Sequence, residues 1–160
     1  MDALIWIALL LGAFLAMEGV AYVTHRWVMH GFLWCWHRSH HEPRDGVFER
    51  NDLFAVVFAL PSIGAIWLGV NGGVPWMLPV GIGIALYGAF YAVFHDGLVH
   101  RRFPVPLRSR NAWLRRLMQA HRLHHAVSAR TGCVSYGFLW APPVRRLRAR
   151  LRQLHPDLNA

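Results

Sequence analysis

The chain contains no lysine. Its formal net charge of +9 over 160 residues rests on 17 arginines, and these are absent from two informative places. None precedes the first apolar run, and none lies in the short turn Asn71–Pro75. Charge is sparse altogether: charged residues make up 16% of the chain, apolar residues 55%, and the mean hydropathy is +0.27, which is high for a soluble domain. Low-complexity stretches and Ser/Gly linkers are also missing, so a single domain is expected. Only two cysteines occur, Cys35 and Cys133; that excludes a disulfide scaffold, and they read as reduced, buried, structural residues. The pI near 11.2 would suggest nucleic-acid binding in a soluble chain. The placement of the arginines argues instead for no nucleic acid and for a membrane.

Long apolar runs are what the chain has in place of charge. Ala3–Met17 continues through Gly19–Val23 after a single Glu18; Leu53–Val70 and Val74–Phe94 follow. Each approaches the ~20 residues that carry a helix across ~30 Å of hydrocarbon, giving spans at about 3–23, 53–70 and 74–94. The first opens on Asp2, lacks a basic n-region and exceeds the usual about 7–15 apolar residues, so it is expected to be a retained span, not a signal peptide. Arginine then falls in two segments, 24–52 and 95–160. By the positive-inside rule both are cytoplasmic. The expected fold is an all-α integral membrane protein of three or at most four transmembrane helices, with a cytoplasmic histidine-rich helical cap, in the cytoplasmic (inner) membrane.

Ten of the eleven histidines fall in four clusters within those two segments, and His155 stands apart as a surface residue. Each segment opens with His-x4-His (His25 and His30; His95 and His100) and continues to His-x2-His-His (His37, His40 and His41; His121, His124 and His125). The chain thus repeats itself in topology and in chemistry. On an α-helix the three rings of His-x2-His-His span about 100° of one face. The rings of His-x4-His stand about 140° apart, so either the helix ends or distorts there, or the two serve different ions. A lone His-x4-His at the end of a span is an ordinary interfacial pair. Four clusters on one side of the membrane are not, and they point to metal. Ten imidazoles exceed what one ion takes, so two ions are expected; imidazole suits Zn, Cu, Fe and Ni alike, and the residue type does not choose among them.

Residues 33–42 read as a short helix ended by Pro43, and residues 112–127 as a second, capped by Asn111. "RRFPVPL" must be a loop. Residues 144–154 place Val144, Leu147, Leu151 and Leu154 on one stripe among arginines. That pattern favours a helix lying on an anionic leaflet; the alternative is a dock for an acidic electron carrier.

The histidine order is similar to that of the membrane non-haem di-iron enzymes of the fatty acid hydroxylase and sterol desaturase superfamily. The words "HRWVMHGFLWCWHRSHHEPRDGVFERNDLFAVVFA", "FHDGLVHRRFP" and "QAHRLHHAV…CVSYGFLWAPPV" resemble, more narrowly, the bacterial beta-carotene hydroxylases, from about Tyr22 to Val144. The resemblance implies O2-dependent hydroxylation at C3 of β-ionone rings, taking beta-carotene to beta-cryptoxanthin and zeaxanthin by hydrogen abstraction and hydroxyl rebound. It implies two iron ions held by the ten clustered histidines, and electrons from NAD(P)H through ferredoxin reductase and a ferredoxin-type donor. Substrate and membrane lipid would share the bilayer.

Ligating imidazoles need acceptors for their other ring nitrogen. Asp52, beside Asn51, and Asp96, next to His95, are the first candidates; Glu42, Glu49 and Asp45 follow. Glu18, inside the first span, is costly to bury alone and is a functional candidate by default; a polar contact between helices is the alternative. A haem protein would place lone histidines within the spans, a transporter would place ligands at the midplane, and a zinc hydrolase would carry His-Glu-x2-His; none of these patterns is present. A hydroxylase, ketolase or desaturase acting on another membrane lipid remains the alternative within the same chemistry.

Overall fold

In the computed structural model, residues 1–43, 46, 48–106 and 110–157 are described. Helix α1 (Ala3–Val23) starts at Asp2, whose carboxylate accepts the Leu4 amide at 2.7 Å. It does not stop at Val23. The helix runs on through Thr24–Phe32 in π-helical turns, where hydrogen bonds reach five residues back, until Gly31 leaves helical geometry (φ −107, ψ −126). The chain then enters α2 (Trp34–His41). One 3₁₀ turn, Arg50–Asp52, leads into α3 (Leu53–Val70). Glu49 and Asp52 cap that turn reciprocally, with the Glu49 amide donating to Asp52 Oδ2 at 2.9 Å. A tight turn with Gly73 at φ 70 reverses the chain into α4 (Met77–Tyr91), which again passes into π-helical turns, Ala92–Val99.

These three continuous helices, Ala3–Phe32, Arg50–Val70 and Met77–Val99, are long and apolar enough to cross a membrane. The first and third run further than the sequence suggested, and carry His25, His30 and His95 on their extensions. Side chains such as Leu4, Leu11, Leu15, Leu60, Ile63 and Trp67 point outward and exposed, as lipid-facing residues do. Helix α4 lies between α1 and α3 and packs on both. Two glycines permit this: a Cβ on Gly83 would strike the backbone of Leu10, and one on Gly81 would strike Ser62 and Ile66. Ser62 Oγ donates to the Gly81 carbonyl at 2.8 Å. Small residues and interhelical hydrogen bonds replace the hydrophobic drive that lipid cannot supply.

The cap at one end of the spans comprises α2, α5 (Ala112–His124), α6 (Val144–Leu154) and the loop between the last two. Asn111 caps α5 as expected, accepting the amides of Trp113 and Leu114; the helix closes at His124, three residues early. Helix α6 forms where the arginine-rich stripe placed it, but its apolar side is not free for lipid. Leu147 and Leu151 are buried in one core with Phe94, Leu117, Ala120 and Phe138, so the leaflet-lying reading is replaced by a helix whose exposed face is cationic. Cys35 is exposed and only Cys133 is buried, which corrects the expectation of two buried thiols. His155 is half-buried and touches the Gly132 carbonyl.

Candidate metal centre

All ten clustered histidines meet at the junction of spans and cap, in two adjoining groups. His40, His95, His100, His121 and His125 form one; His25, His30, His37 and His124 form the other, with the candidate ligand atoms of each within 4.8 Å of one another. His41 stands in the seam, close to both His124 and His125. Each His-x4-His pair serves a single group. The π-helical turns resolve the angular problem, because bonding five residues back stacks residue i over i+5: the His100 amide donates to the His95 carbonyl at 2.9 Å. The His-x2-His-His words are instead divided, with His37 and His40 on opposite sides of the seam, as are His124 and His125. Rings that share one helical face thus serve both groups.

The outer nitrogens of seven of the rings are held by oxygen, whereas the buried Nδ1 of His121 has no hydrogen-bond partner among the described residues. Nδ1 of His25, His30, His41 and His124 donates to the carbonyls of Tyr136 (3.0 Å), Arg130 (2.8 Å), Val127 (2.9 Å) and Val134 (3.3 Å). Nδ1 of His37 donates to Asn51 Oδ1 at 2.7 Å, that of His40 to Glu49 Oε2 at 2.9 Å, and that of His95 to Asp96 Oδ1 at 2.8 Å. Asp52 acts one step removed: it takes both terminal nitrogens of Arg102 at 2.7 Å, and Arg102 in turn reaches Asp96 at 3.6 Å. Glu42 pairs with exposed Arg38 at 2.6 Å and holds no histidine. Asp45 lies outside the described residues. The four carbonyls carried no signal in the sequence, since any residue supplies one; Ser135, at φ 63 between Val134 and Tyr136, marks the bent backbone that presents two of them.

This fixes the tautomers. A ring whose Nδ1–H is given to a carbonyl or carboxylate has a bare lone pair at Nε2. Those lone pairs face one another: His25 and His37 at 3.2 Å, His30 and His124 at 3.1 Å, His40 and His95 at 2.9 Å. The buried Nε2 of His41 has no hydrogen-bond partner among the described residues. Opposed lone pairs at this distance need a shared cation. A proton is a poor one here, because burial, then neighbouring imidazoles, holds His37, His40 and His124 well below the ordinary histidine range. Burial, only partly offset by the Val127 carbonyl, lowers His41 to about 4; burial with His41 and His100 opposite lowers His125 to about 2. Neutral nitrogen donors converging in two groups fit two transition-metal ions.

Aromatic rings and an apolar cleft close the membrane side. Tyr91 stacks on His95 at 4.4 Å, and Phe138 lies 5.6 Å from each of His25, His95 and His121. A cleft of about 460 Å³ runs between α1, α3 and α4, lined by Ala59, Ile63, Ile84, Tyr87, Gly88 and Tyr91 among others, and ends at Asn51 and Asp96. Ile63 is 61% exposed, so the cleft opens sideways to lipid. Its volume is in the range of small-molecule sites, about 300–1,000 Å³.

The sequence matches the fatty acid hydroxylase family over residues 10–142. This chain belongs to that family. The hydroxylase is 51% identical over 153 residues to a beta-carotene hydroxylase of Pantoea ananas, covering 94% of this chain and 86% of that protein. It is 54% identical over 142 residues to the beta-carotene hydroxylase of Pseudescherichia vulneris (88% and 80%). A beta-carotene 3-hydroxylase 2, chloroplastic, of Arabidopsis thaliana shares 43% over 138 residues, 84% of this chain and 45% of the plant protein. No solved structure matches. A histidine cluster compatible with a metal centre, at the junction of membrane-spanning helices and their cap, is therefore found in a hydroxylating enzyme.

Proposed function

We propose that this hydroxylase inserts oxygen at C3 of the β-ionone ring of a carotenoid dissolved in the bilayer, converting beta-carotene to beta-cryptoxanthin and then zeaxanthin. Each turn consumes O2, two electrons and two protons, and forms one C–OH bond and one water. Two iron ions held by His25, His30, His37 and His124 on one side and His40, His95, His100, His121 and His125 on the other, with His41 between, would supply the activation of O2 for an unactivated C–H bond. The chain's own part is to hold the rings in one tautomer through Nδ1, to keep water from the membrane face with Tyr91 and Phe138, and to bring the substrate along the apolar cleft.

The observation that carries this reading is the set of opposed Nε2 lone pairs next to a lipid-facing cleft, in a chain about half identical to bacterial proteins named beta-carotene hydroxylases. The arginine distribution supports a cap on the cytoplasmic side. There the exposed arginines of α6 offer a cationic surface to an acidic, ferredoxin-type donor supplied from NAD(P)H.

The test is pigment analysis by chromatography and mass spectrometry in bacterial cells that accumulate beta-carotene and express the chain, beside a His124→Ala control. Mono- and dihydroxylated carotenoids that vanish in the control are the expected result. Unchanged beta-carotene alongside iron-loaded protein would redirect the assignment to a hydroxylase, ketolase or desaturase of another lipid.

A further inference from the structure

Glu18 is the one acidic or basic residue within the apolar part of the first span, and no metal-facing histidine touches it. Its carboxylate is nonetheless fully used. It accepts three successive backbone amides, Phe138 at 2.9 Å, Leu139 at 2.9 Å and Trp140 at 3.2 Å, and the Tyr87 hydroxyl at 2.7 Å. Successive amides aimed at one anion form a nest. The approach depends on Gly137, where an added Cβ would come within 2.5 Å of Glu18 Oε1. A glutamine could not replace the carboxylate: its single carbonyl oxygen cannot serve four donors, and its NH2 would face N–H groups.

What the carboxylate holds in place is informative. Tyr87 is a wall of the cleft. Phe138 stacks on His25 of the four-histidine group, meets His95 of the other edge-on and lies tilted beside His121, and its ring centre is 4.9 Å from that of Tyr91, which lines the cleft. Glu18 therefore ties the wall of the cleft to the membrane-side wall of the metal centre, across 120 residues of chain. We infer that Glu18 is a positioning residue: by fixing Phe138 relative to Tyr87 it sets where a ring in the cleft meets the metal centre, and so which ring carbon is oxidised. The inference rests on the proposed hydroxylation of a ring substrate. A displacement of about 1 Å at such a contact is enough to change the outcome of a reaction.

The experiment compares Glu18→Gln, Phe138→Leu and Tyr87→Phe with the parent, as full chains in detergent and in beta-carotene-accumulating cells. Metal per folded chain should stay unchanged in all three, because no Nδ1 acceptor is altered. Amide exchange across residues 137–141 should quicken at least tenfold in Glu18→Gln and remain protected in Phe138→Leu and Tyr87→Phe. Hydroxylation away from C3 should rise several-fold in both Glu18→Gln and Phe138→Leu, and to a smaller extent in Tyr87→Phe, which removes the hydroxyl that ties the cleft wall to Glu18. Faster exchange with a parent product pattern would reduce Glu18 to an anchor of the fold and overturn the inference; so would unchanged exchange. If the parent makes no hydroxylated carotenoid, the function assignment fails separately. The ligand-field spectrum of the cobalt(II)-loaded proteins then decides: a shift common to Glu18→Gln and Phe138→Leu supports the positioning of Phe138, and an unshifted spectrum in Glu18→Gln overturns it.

Discussion

The amide of His100 donates to the carbonyl of His95 at 2.9 Å, and this one hydrogen bond puts both rings in the same five-histidine group. The four-histidine group has no ligand to spare, since His25→Ala leaves three. His100→Ala leaves four in the larger group. We expect His25→Ala to fall from two metal ions per chain towards one, and His100→Ala to stay closer to two, with hydroxylation lost in the former. Elemental analysis of folded, detergent-purified protein measures this. Equal losses in both variants would mean that the two groups are not separate sites.

Asn51 holds His37 by a 2.7 Å hydrogen bond and is buried. Asn51→Leu keeps the volume and leaves the His37 Nδ1–H without an acceptor. Losses of this kind cost about 10–100-fold in metal affinity. Competition with a graded chelator should show it in this variant, whereas Glu42→Gln, whose carboxylate pairs with exposed Arg38, should match the parent.

Much of this arrangement was legible beforehand, for physical reasons. The spans announced themselves through apolar length, α2 through Pro43 after His41, and α5 through the Asn111 cap, because each signal is local. Asp96 was legible because it adjoins His95. Three things were not. The His-x4-His spacing stated the angular conflict but not its resolution, which depends on π-helical turns that no residue type specifies. The fate of the α6 stripe was equally hidden: Leu147 and Leu151 look the same whether lipid or Leu117 covers them, and only packing decides. The acceptors from Val127, Arg130, Val134 and Tyr136 are main-chain atoms, invisible to any reading of side chains.

Acid should weaken the metal-free protein. His41 is held at about 4 and His125 at about 2, against about 6.5 in the unfolded chain. A histidine with a lower pKa when folded binds fewer protons folded than unfolded, so stability rises with pH through that interval and is lost as pH falls below about 6.5. We expect the Tm of chelator-treated protein to drop steadily between pH 7 and pH 5, and that of the metal-loaded protein to drop less, since the ion competes with protons for Nε2. Scanning fluorimetry at matched ionic strength tests it; a flat profile for the metal-free form would count against the buried, neutral rings.

The cleft can be closed without breaking the fold. A Cβ added to Gly88 meets nothing within 4 Å, because that face of α4 borders the open space between α1 and α3. Gly88→Leu should therefore fold, span the membrane and bind metal as the parent does, while its side chain occupies part of the roughly 460 Å³ that the substrate needs. Leucine in place of glycine inside a helix also relieves about 1 kcal/mol of backbone cost, so Tm should hold or rise. Hydroxylated carotenoid should fall at least tenfold in cells with equal protein and iron. Gly83→Leu is the contrast: it presses on the α1 backbone at Leu10 and should lower folded protein itself. Full activity in Gly88→Leu would place the substrate elsewhere, against another face of the histidine cap, and would leave the cleft as a packing defect between spans.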